Sequence, residues 1–230
     1  MKTILEKGIS ALQQSDMDIE ALAAPRKEEL ISLLERYIAE IELFNPAYGL
    51  VGTNNHEELI VKHILDSLAP LGIIYRLIKE KDGKTESALK IADAGSGAGL
   101  PGMPLAAALP KYEFTLIERM GRRAGFLWNT KAALGLSNVA IEEGEIERTA
   151  PESFDIITFR AFKPLEPKLL KALFRACSQD GCLAAYKGKS EKIATEMAPL
   201  EKLCGSWEAI PCPVPFLEEE RHMVIIRPLV

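Results

Sequence analysis

Ile91-Ala92-Asp93-Ala94-Gly95-Ser96-Gly97-Ala98-Gly99-Leu100-Pro101-Gly102 is the stretch on which the fold turns. An apolar strand runs directly into a loop holding four glycines in eight residues. Glycine tolerates positive φ and lets another molecule come close to the backbone. In open α/β sheets, ligands sit beyond the carboxyl ends of the strands, where such a loop lies. The next apolar run, residues 114–118, ends in Glu118. An acid about 20 residues past the loop can accept hydrogen bonds from ribose hydroxyls.

Outward from the loop, short apolar runs alternate with helical periods. Strands are predicted at 89–94, 114–118, 139–142, 154–159, 182–186, 207–210 and 223–227, and helices at 104–109, 122–134, 165–176 and 191–203. That alternation predicts a mostly parallel sheet covered on both faces. No helix fits between the last two strands, so the final one is expected to return antiparallel. Residues 1–88 read differently, as a helical N-terminal extension preceding a domain at 89–230. Leu30, Leu33, Leu34, Tyr37, Ile38 and Ile41 recur near the 3.6 period, in a helix expected to stop before Pro46. A Gly/Asn-rich loop follows over 48–55, and Asn54 or Asn55 is placed to cap the next helix, which would end near Pro70. Residues 79–88 read as a solvated connector.

The 230-residue chain is 47% hydrophobic and 27% charged, within the globular range, so disorder and disulfide scaffolds are excluded. Its net charge is −5, with 10 Lys and Arg against 15 Asp and Glu in residues 1–88 and 18 against 18 beyond, so a basic nucleic-acid footprint is absent and any RNA contact must be local. No apolar run is long enough to span a membrane, and no leader or CxxC pair is seen. A cytoplasmic protein with reduced thiols is expected, with no metal and no membrane contact, as a monomer.

The ligand of the glycine loop is the decisive question. Gly97-Ala98-Gly99-Leu100-Pro101-Gly102 also fits the dinucleotide pattern, which keeps an NAD-dependent oxidoreductase as an alternative. Against it, Pro101 and Pro104 delay the helix that would hold a pyrophosphate, and a carboxylate at Asp93 would repel one while attracting a sulfonium or ammonium. The acid-x-G-x-G-x-G run from Asp93 to Gly99 resembles the first motif of S-adenosylmethionine (SAM) methyltransferases. A GK[ST] phosphate loop is absent.

With that motif placed, the chain resembles the bacterial small-subunit (16S) ribosomal RNA guanine-N7 methyltransferases. The likeness is carried by Val61-Lys62-His63-Ile64-Leu65-Asp66-Ser67-Leu68, the glycine loop, Gly121-Arg122-Arg123-Ala124-Gly125-Phe126-Leu127, Phe154 to Phe162, Tyr186-Lys187-Gly188-Lys189 and Glu220-Arg221-His222-Met223-Val224. It implies a Rossmann-like SAM-dependent methyltransferase fold, a seven-stranded mostly parallel sheet with an antiparallel last strand. It implies S-adenosyl-L-methionine as cofactor and 16S rRNA or the 30S subunit as partner. Cofactor contacts carry over to Gly95, Leu100, Ile146, Glu147 and Arg160, and Glu118 takes the ribose position; Asp93 and Gly97 of the loop itself are expected to join them. Two departures stand out: the family's Asn-Leu-Thr is Gly49-Leu50-Val51 here, and a usual Arg is Glu145.

Guanine N7 has a free lone pair, so its methylation requires no general base. No Asn/Asp-Pro-Pro-Tyr/Phe motif of exocyclic-amine chemistry follows the fourth strand, and Pro211-Cys212-Pro213 lies after the sixth, the wrong place for a cytosine nucleophile. Positive charge is then the informative feature. Arg119, Arg122 and Arg123 surround a helix start, where cations oppose the macrodipole, which points to phosphate binding. Arg160, Lys187 and His63 are expected to complete the catalytic and RNA-facing surface. A non-catalytic RNA-binding or ribosome-assembly module is the other alternative.

Overall fold

The computed structural model describes residues 2–81, 89–161 and 164–229. Seven strands form one sheet: β1 (Lys90–Ala94), β2 (Glu113–Glu118), β3 (Val139–Glu143), β4 (Phe154–Arg160), β5 (Cys177–Lys187), β6 (Ser206–Pro211) and β7 (His222–Arg227). Their order is β3-β2-β1-β4-β5-β7-β6, with β7 antiparallel to both neighbours and the other pairings parallel. The winding reverses between β1 and β4, so the loops leaving these two strands diverge from one crevice.

Burial follows that order. Ile91 to Ala94 and Ile156 to Phe159 are buried throughout, as parallel strands covered on both faces require, whereas the edge strand β6 is largely exposed and ends at Pro211. On one face lie α7 (Gly102–Ala108), α8 (Gly121–Leu134) and helices of the N-terminal segment. On the other lie α9 (Pro167–Ala176) and α10 (Ser190–Met197), and each face closes its own apolar core. The first core runs unbroken from Leu5, through Leu34 and Ile64, to Leu116 and Ile225.

The N-terminal segment comprises α1 (Ile4–Ser15), α2 (Met17–Ala23), α3 (Lys27–Tyr48), α4 (His56–Leu59), α5 (Asp66–Leu68) and α6 (Leu71–Lys81). Thr3 and Glu6 form a capping box on α1, and Asn55 caps α4 by accepting from the Glu58 N–H at 2.9 Å.

Several expectations are corrected. The third helix does not stop before Pro46 but runs to Tyr48. The turn after the proline is stabilised from outside: Asn45 donates to Thr53 O and Asn54 Oδ1 and accepts from Val51 N, while Gly49 (φ +59°) closes the helix. Between α4 and α5, residues Ile60–Leu65 form a π-helical turn, where a plain helix was expected. The strand expected at 182–186 starts earlier, at Cys177, and takes in the polar run Ser178-Gln179-Asp180-Gly181, accommodated by a register shift opposite Phe154 and Ile156. Lys79 to Lys81 end α6 rather than beginning a connector, and 82–88 lie outside the described residues. Elsewhere the predicted helices shift at their ends: Leu165 precedes α9 as a buried loop residue, and Pro199 turns the end of the last helix into a 3-10 segment, Ala198–Leu203.

Candidate functional site: two clefts that meet at Ala161

The loop after β1 takes the conformation its glycines allow. Gly95, Gly97 and Gly99 have φ of +71°, +60° and +93°. The Gly97 N–H donates to Glu118 Oε2 and the Met120 N–H to Glu118 Oε1, both at 2.8 Å, so one carboxylate at the end of β2 ties the loop to the start of α8. Tyr37 of α3 donates to Ala98 O at 2.7 Å and braces the loop from the N-terminal side.

Asp93 stands differently from expectation. Its side chain is fully buried, with Oδ2 accepting from Ser96 Oγ at 2.6 Å and Gly102 N at 2.9 Å. Instead of facing a ligand, the carboxylate caps the N-terminus of α7. That helix end, which a dinucleotide pyrophosphate would need, is therefore already occupied by an anion. Gly102 is required here because a Cβ would lie 2.8 Å from Asp93 Oδ2 and 2.9 Å from Leu116. Burial pushes the Asp93 pKa up from 3.8 to about 6, against the lowering effect of these two hydrogen bonds. Between those values the folded protein holds a proton that the unfolded chain releases. This contribution therefore makes stability fall as pH rises from about 4 to 6, and stay level above. Replacing Asp93 by Asn should remove that slope, worth roughly 3 kcal/mol for a shift of about two units. Denaturant melts of both proteins at pH 4 and pH 7 check it; a variant-minus-parent difference that does not change with pH would refute it.

A cleft of about 220 Å³ opens beside this loop, lined by Gly95, Glu118, Arg119, Arg123, Ile146 and Glu147 among others, and bounded by Ala161. Ile146 is buried in the 3-10 turn Ile146–Arg148 after β3. Leu100 is buried in the core beneath the loop and does not line the cleft. Arg123 Nε is buried without a hydrogen-bond partner among the described residues. The glycine backbone, the acid at the end of β2, the apolar Ile146 wall and this unused donor fit an adenosine-bearing, sulfonium-carrying cofactor. Glu118 and Gly95 would hold its ribose and amino-acid ends, and Ile146 its base.

The arginines at the start of α8 are not simply displayed. Arg122 Nη1 donates to Ala47 O at 3.4 Å and its guanidinium lies 5.8 Å from the Tyr48 ring centre, while Arg123 Nη2 donates to Gly49 O at 3.1 Å. Two cations set against the dipole of α8 thus satisfy carbonyls at the carboxyl end of α3, where positive charge is favourable. Sequence could not supply that partner. Arg119 pairs at 3.8 Å with Glu145, so the departure at Glu145 offsets a charge at the cleft mouth.

A second cleft, of about 350 Å³, lies on the other side of Ala161. It is lined by His63 and Asp66 from the N-terminal segment, by Arg160, Tyr186 and Lys187 from the sheet, and by Arg221 just before β7. Arg160 lines this cleft, directly before Ala161, which borders both. Its Nη1 donates to Asp66 Oδ2 at 2.7 Å and reaches Lys62 O and His63 O at 3.4 and 3.3 Å. The π-helical turn presents those carbonyls. Extra residues of this kind are frequent at functional sites. Arg221 Nε donates to Asp66 Oδ1 at 3.0 Å, so one buried carboxylate orients two guanidinium groups. Lys187 is held by Glu196 at 2.7 Å, and the Tyr186 hydroxyl donates to Ser67 O. Burial, then the Arg160 charge, pushes the His63 pKa down to about 4, so its ring is neutral at neutral pH.

Arg221 was not assigned a role from sequence. A lone arginine before an apolar strand carries no signal of its own, and only the antiparallel return of β7 beside β5 brings it to Asp66. Ala161, with φ +48°, was missed for the same reason: its importance is its place between the clefts.

The family model described as rRNA small subunit methyltransferase G matches residues 30–224. Ribosomal RNA small subunit methyltransferase G of Treponema denticola is 37% identical over 98% of this chain and 96% of its own length. The protein of the same name from Treponema pallidum strain Nichols is 40% identical over 86% and 85%. Among solved structures, a SAM dependent methyltransferase from Aquifex aeolicus superposes with a TM-score of 0.52 at 16% identity, covering 70% of this chain and 91% of its own. The tRNA (m1A58) methyltransferase of the same organism gives a TM-score of 0.54 at 14% identity, covering 70% and 69%. These two likenesses concern the fold.

Proposed function

The chain belongs to the rRNA small subunit methyltransferase G family, and we propose that it methylates N7 of a guanine in small-subunit ribosomal RNA, with S-adenosyl-L-methionine held in the cleft beside the glycine loop. The observation that carries this reading is Ala161, which bounds both clefts and so sets a base in the second against a cofactor in the first.

Bound S-adenosyl-L-methionine supplies a methyl group on a positively charged sulfur. What the chain contributes is position and electrostatics. Arg160, Arg221 and Lys187 are cations, each already aimed by a carboxylate, so their geometry is set before RNA arrives. A cleft furnished with donors suits an edge made of acceptors. Guanine presents N7 and O6 as acceptors on its major-groove edge, whereas adenine places a donor beside its N7. His63 Nδ1 already faces Arg160, and Lys187 is paired, so neither serves as a base, in keeping with a target that has no proton to lose.

The exposed Arg119, at the mouth of the first cleft, Arg123 within it and the exposed Arg122 beside it at the start of α8 are proposed to meet the RNA backbone, with Lys187 doing so in the second cleft. Residues 1–88 act as an extension that completes the substrate cleft, since His63 and Asp66 come from it. Action on the ribosome places the protein in the cytoplasm.

The test is transfer of a labelled methyl group to 30S subunits and to free rRNA, followed by mapping of the modified base. Label at guanine N7 is expected. Label on an exocyclic amine, a ribose or a carbon would reject the assignment. RNA affinity without transfer would favour the binding-only module.

A further inference from the structure

We propose that His63 selects guanine over adenine by donating a hydrogen bond from Nε2 to O6 of the target base, with Arg160 fixing the ring in the form that can do so. This rests on the guanine-N7 reading above and assigns a discriminating residue to it.

The argument begins with donor and acceptor roles. Arg160 Nη2 approaches His63 Nδ1 at 3.4 Å. A guanidinium has donors and no acceptor, so Nδ1 must be the accepting, unprotonated nitrogen. A neutral imidazole carries its single proton on the other nitrogen, Nε2. The alternative, a doubly protonated ring, would set a second cation against Arg160 in a half-buried place. Around the ring, Asp66 is already taken by Arg160 and Arg221, and Glu58 by Lys62. The nearby carboxylates are thus engaged, and they do not draw the proton to Nδ1.

The backbone holds the ring in place. His63 O accepts from Ser67 Oγ at 2.6 Å and lies 3.3 Å from Arg160 Nη1, in the π-helical turn at the wall of the second cleft. A ring anchored by its own carbonyl, with its acceptor nitrogen occupied, can offer the cleft only a donor. Opposite guanine, that donor meets O6. Opposite adenine, it meets the N6 amino group, donor against donor, and both groups lose their hydrogen bonds to water without replacement.

Two measurements test this. Long-range nitrogen NMR of the imidazole in the full-length protein should show Nε2–H in the parent, and a mixture of tautomers in Arg160→Leu. Second, rRNA carrying guanine or 2-aminopurine, which lacks O6, at the mapped target is methylated by the parent, His63→Leu and His63→Gln. Comparing ratios cancels the intrinsic difference in N7 reactivity. His63→Leu should lose about tenfold of the guanine preference, the value of one hydrogen bond near 1.4 kcal/mol. His63→Gln, which keeps a donor, should retain part of it. Calorimetry with S-adenosylhomocysteine verifies that each variant is folded. An Nδ1–H ring, or an unchanged guanine preference in His63→Leu, would overturn the inference. A parent that methylates no guanine N7 would instead overturn the function on which it rests.

Discussion

Arg160→Ala should slow methyl transfer by about 10²–10³-fold, the loss typical of removing one preorganised donor from a water-poor site. Affinity for S-adenosylhomocysteine should stay within about threefold, a change below 1 kcal/mol. The split follows from placement: Arg160 lines the cleft proposed for the base, whereas the glycine loop and Glu118 line the one proposed for the cofactor. Its removal also leaves Asp66, 8% exposed, with Arg221 alone, and strips a donor from the carbonyls of Lys62 and His63. Breaking a buried ion pair in this way costs about 3 kcal/mol, so rates must be compared well below the variant's melting temperature. Arg160→Lys keeps the charge but not the planar fork, and is expected to recover more stability than rate. Single-turnover transfer and calorimetry decide the matter. A variant that binds cofactor more than tenfold worse while keeping its single-turnover rate would move Arg160 back to the cofactor side.

The second large effect is expected from Glu118→Ala, which should weaken S-adenosyl-L-methionine binding by about 100-fold, or roughly 2.7 kcal/mol. Both oxygens of Glu118 accept backbone N–H groups, from Gly97 and from Met120. Buried as it is, the carboxylate shapes the glycine loop before any ligand arrives. Alanine leaves two donors unsatisfied, at about 1–3 kcal/mol each, unless the loop rearranges, and it removes the acceptor proposed for the ribose. Glutamine places an NH₂ against one of those N–H groups, so it should rescue only partly. Adenosine and its 2′,3′-dideoxy analogue separate loop shaping from ribose contact. The parent should prefer adenosine, and Glu118→Ala should bind both alike. Equal preference in the two proteins would leave Glu118 a loop-shaping role alone.

Much of the architecture was legible in the sequence because the relevant signals are local. Strand runs such as residues 114–118 are apolar and short, the helix carrying Leu30 to Ile41 has a clear period, and the glycine loop announces positive φ by composition. The misplaced boundaries share a cause. Pro46 ends a helix in isolation, but here Asn45 binds the returning loop 50–55 and stabilises the turn beyond it. The start of β5 is polar, and its register with β4 is decided across the sheet, not along the chain.

For the site, the loop and its acid could be read directly, since a tight backbone bend and a strand-end carboxylate leave compositional marks. Charge pairing could not. Asp93 was expected to face a ligand and instead caps α7; Arg122 and Arg123 were expected to face phosphates and also reach the end of α3. A charged residue announces its sign in the sequence but not its partner. The chain alone therefore determined the sheet, the glycine cradle and the class of chemistry, because these follow from periodicity and backbone permissiveness. Only the tertiary structure decided that Arg160, Arg221, Asp66 and His63 share one cleft, because that grouping joins residues up to 158 positions apart whose contact is set by strand order and by a π-helical turn.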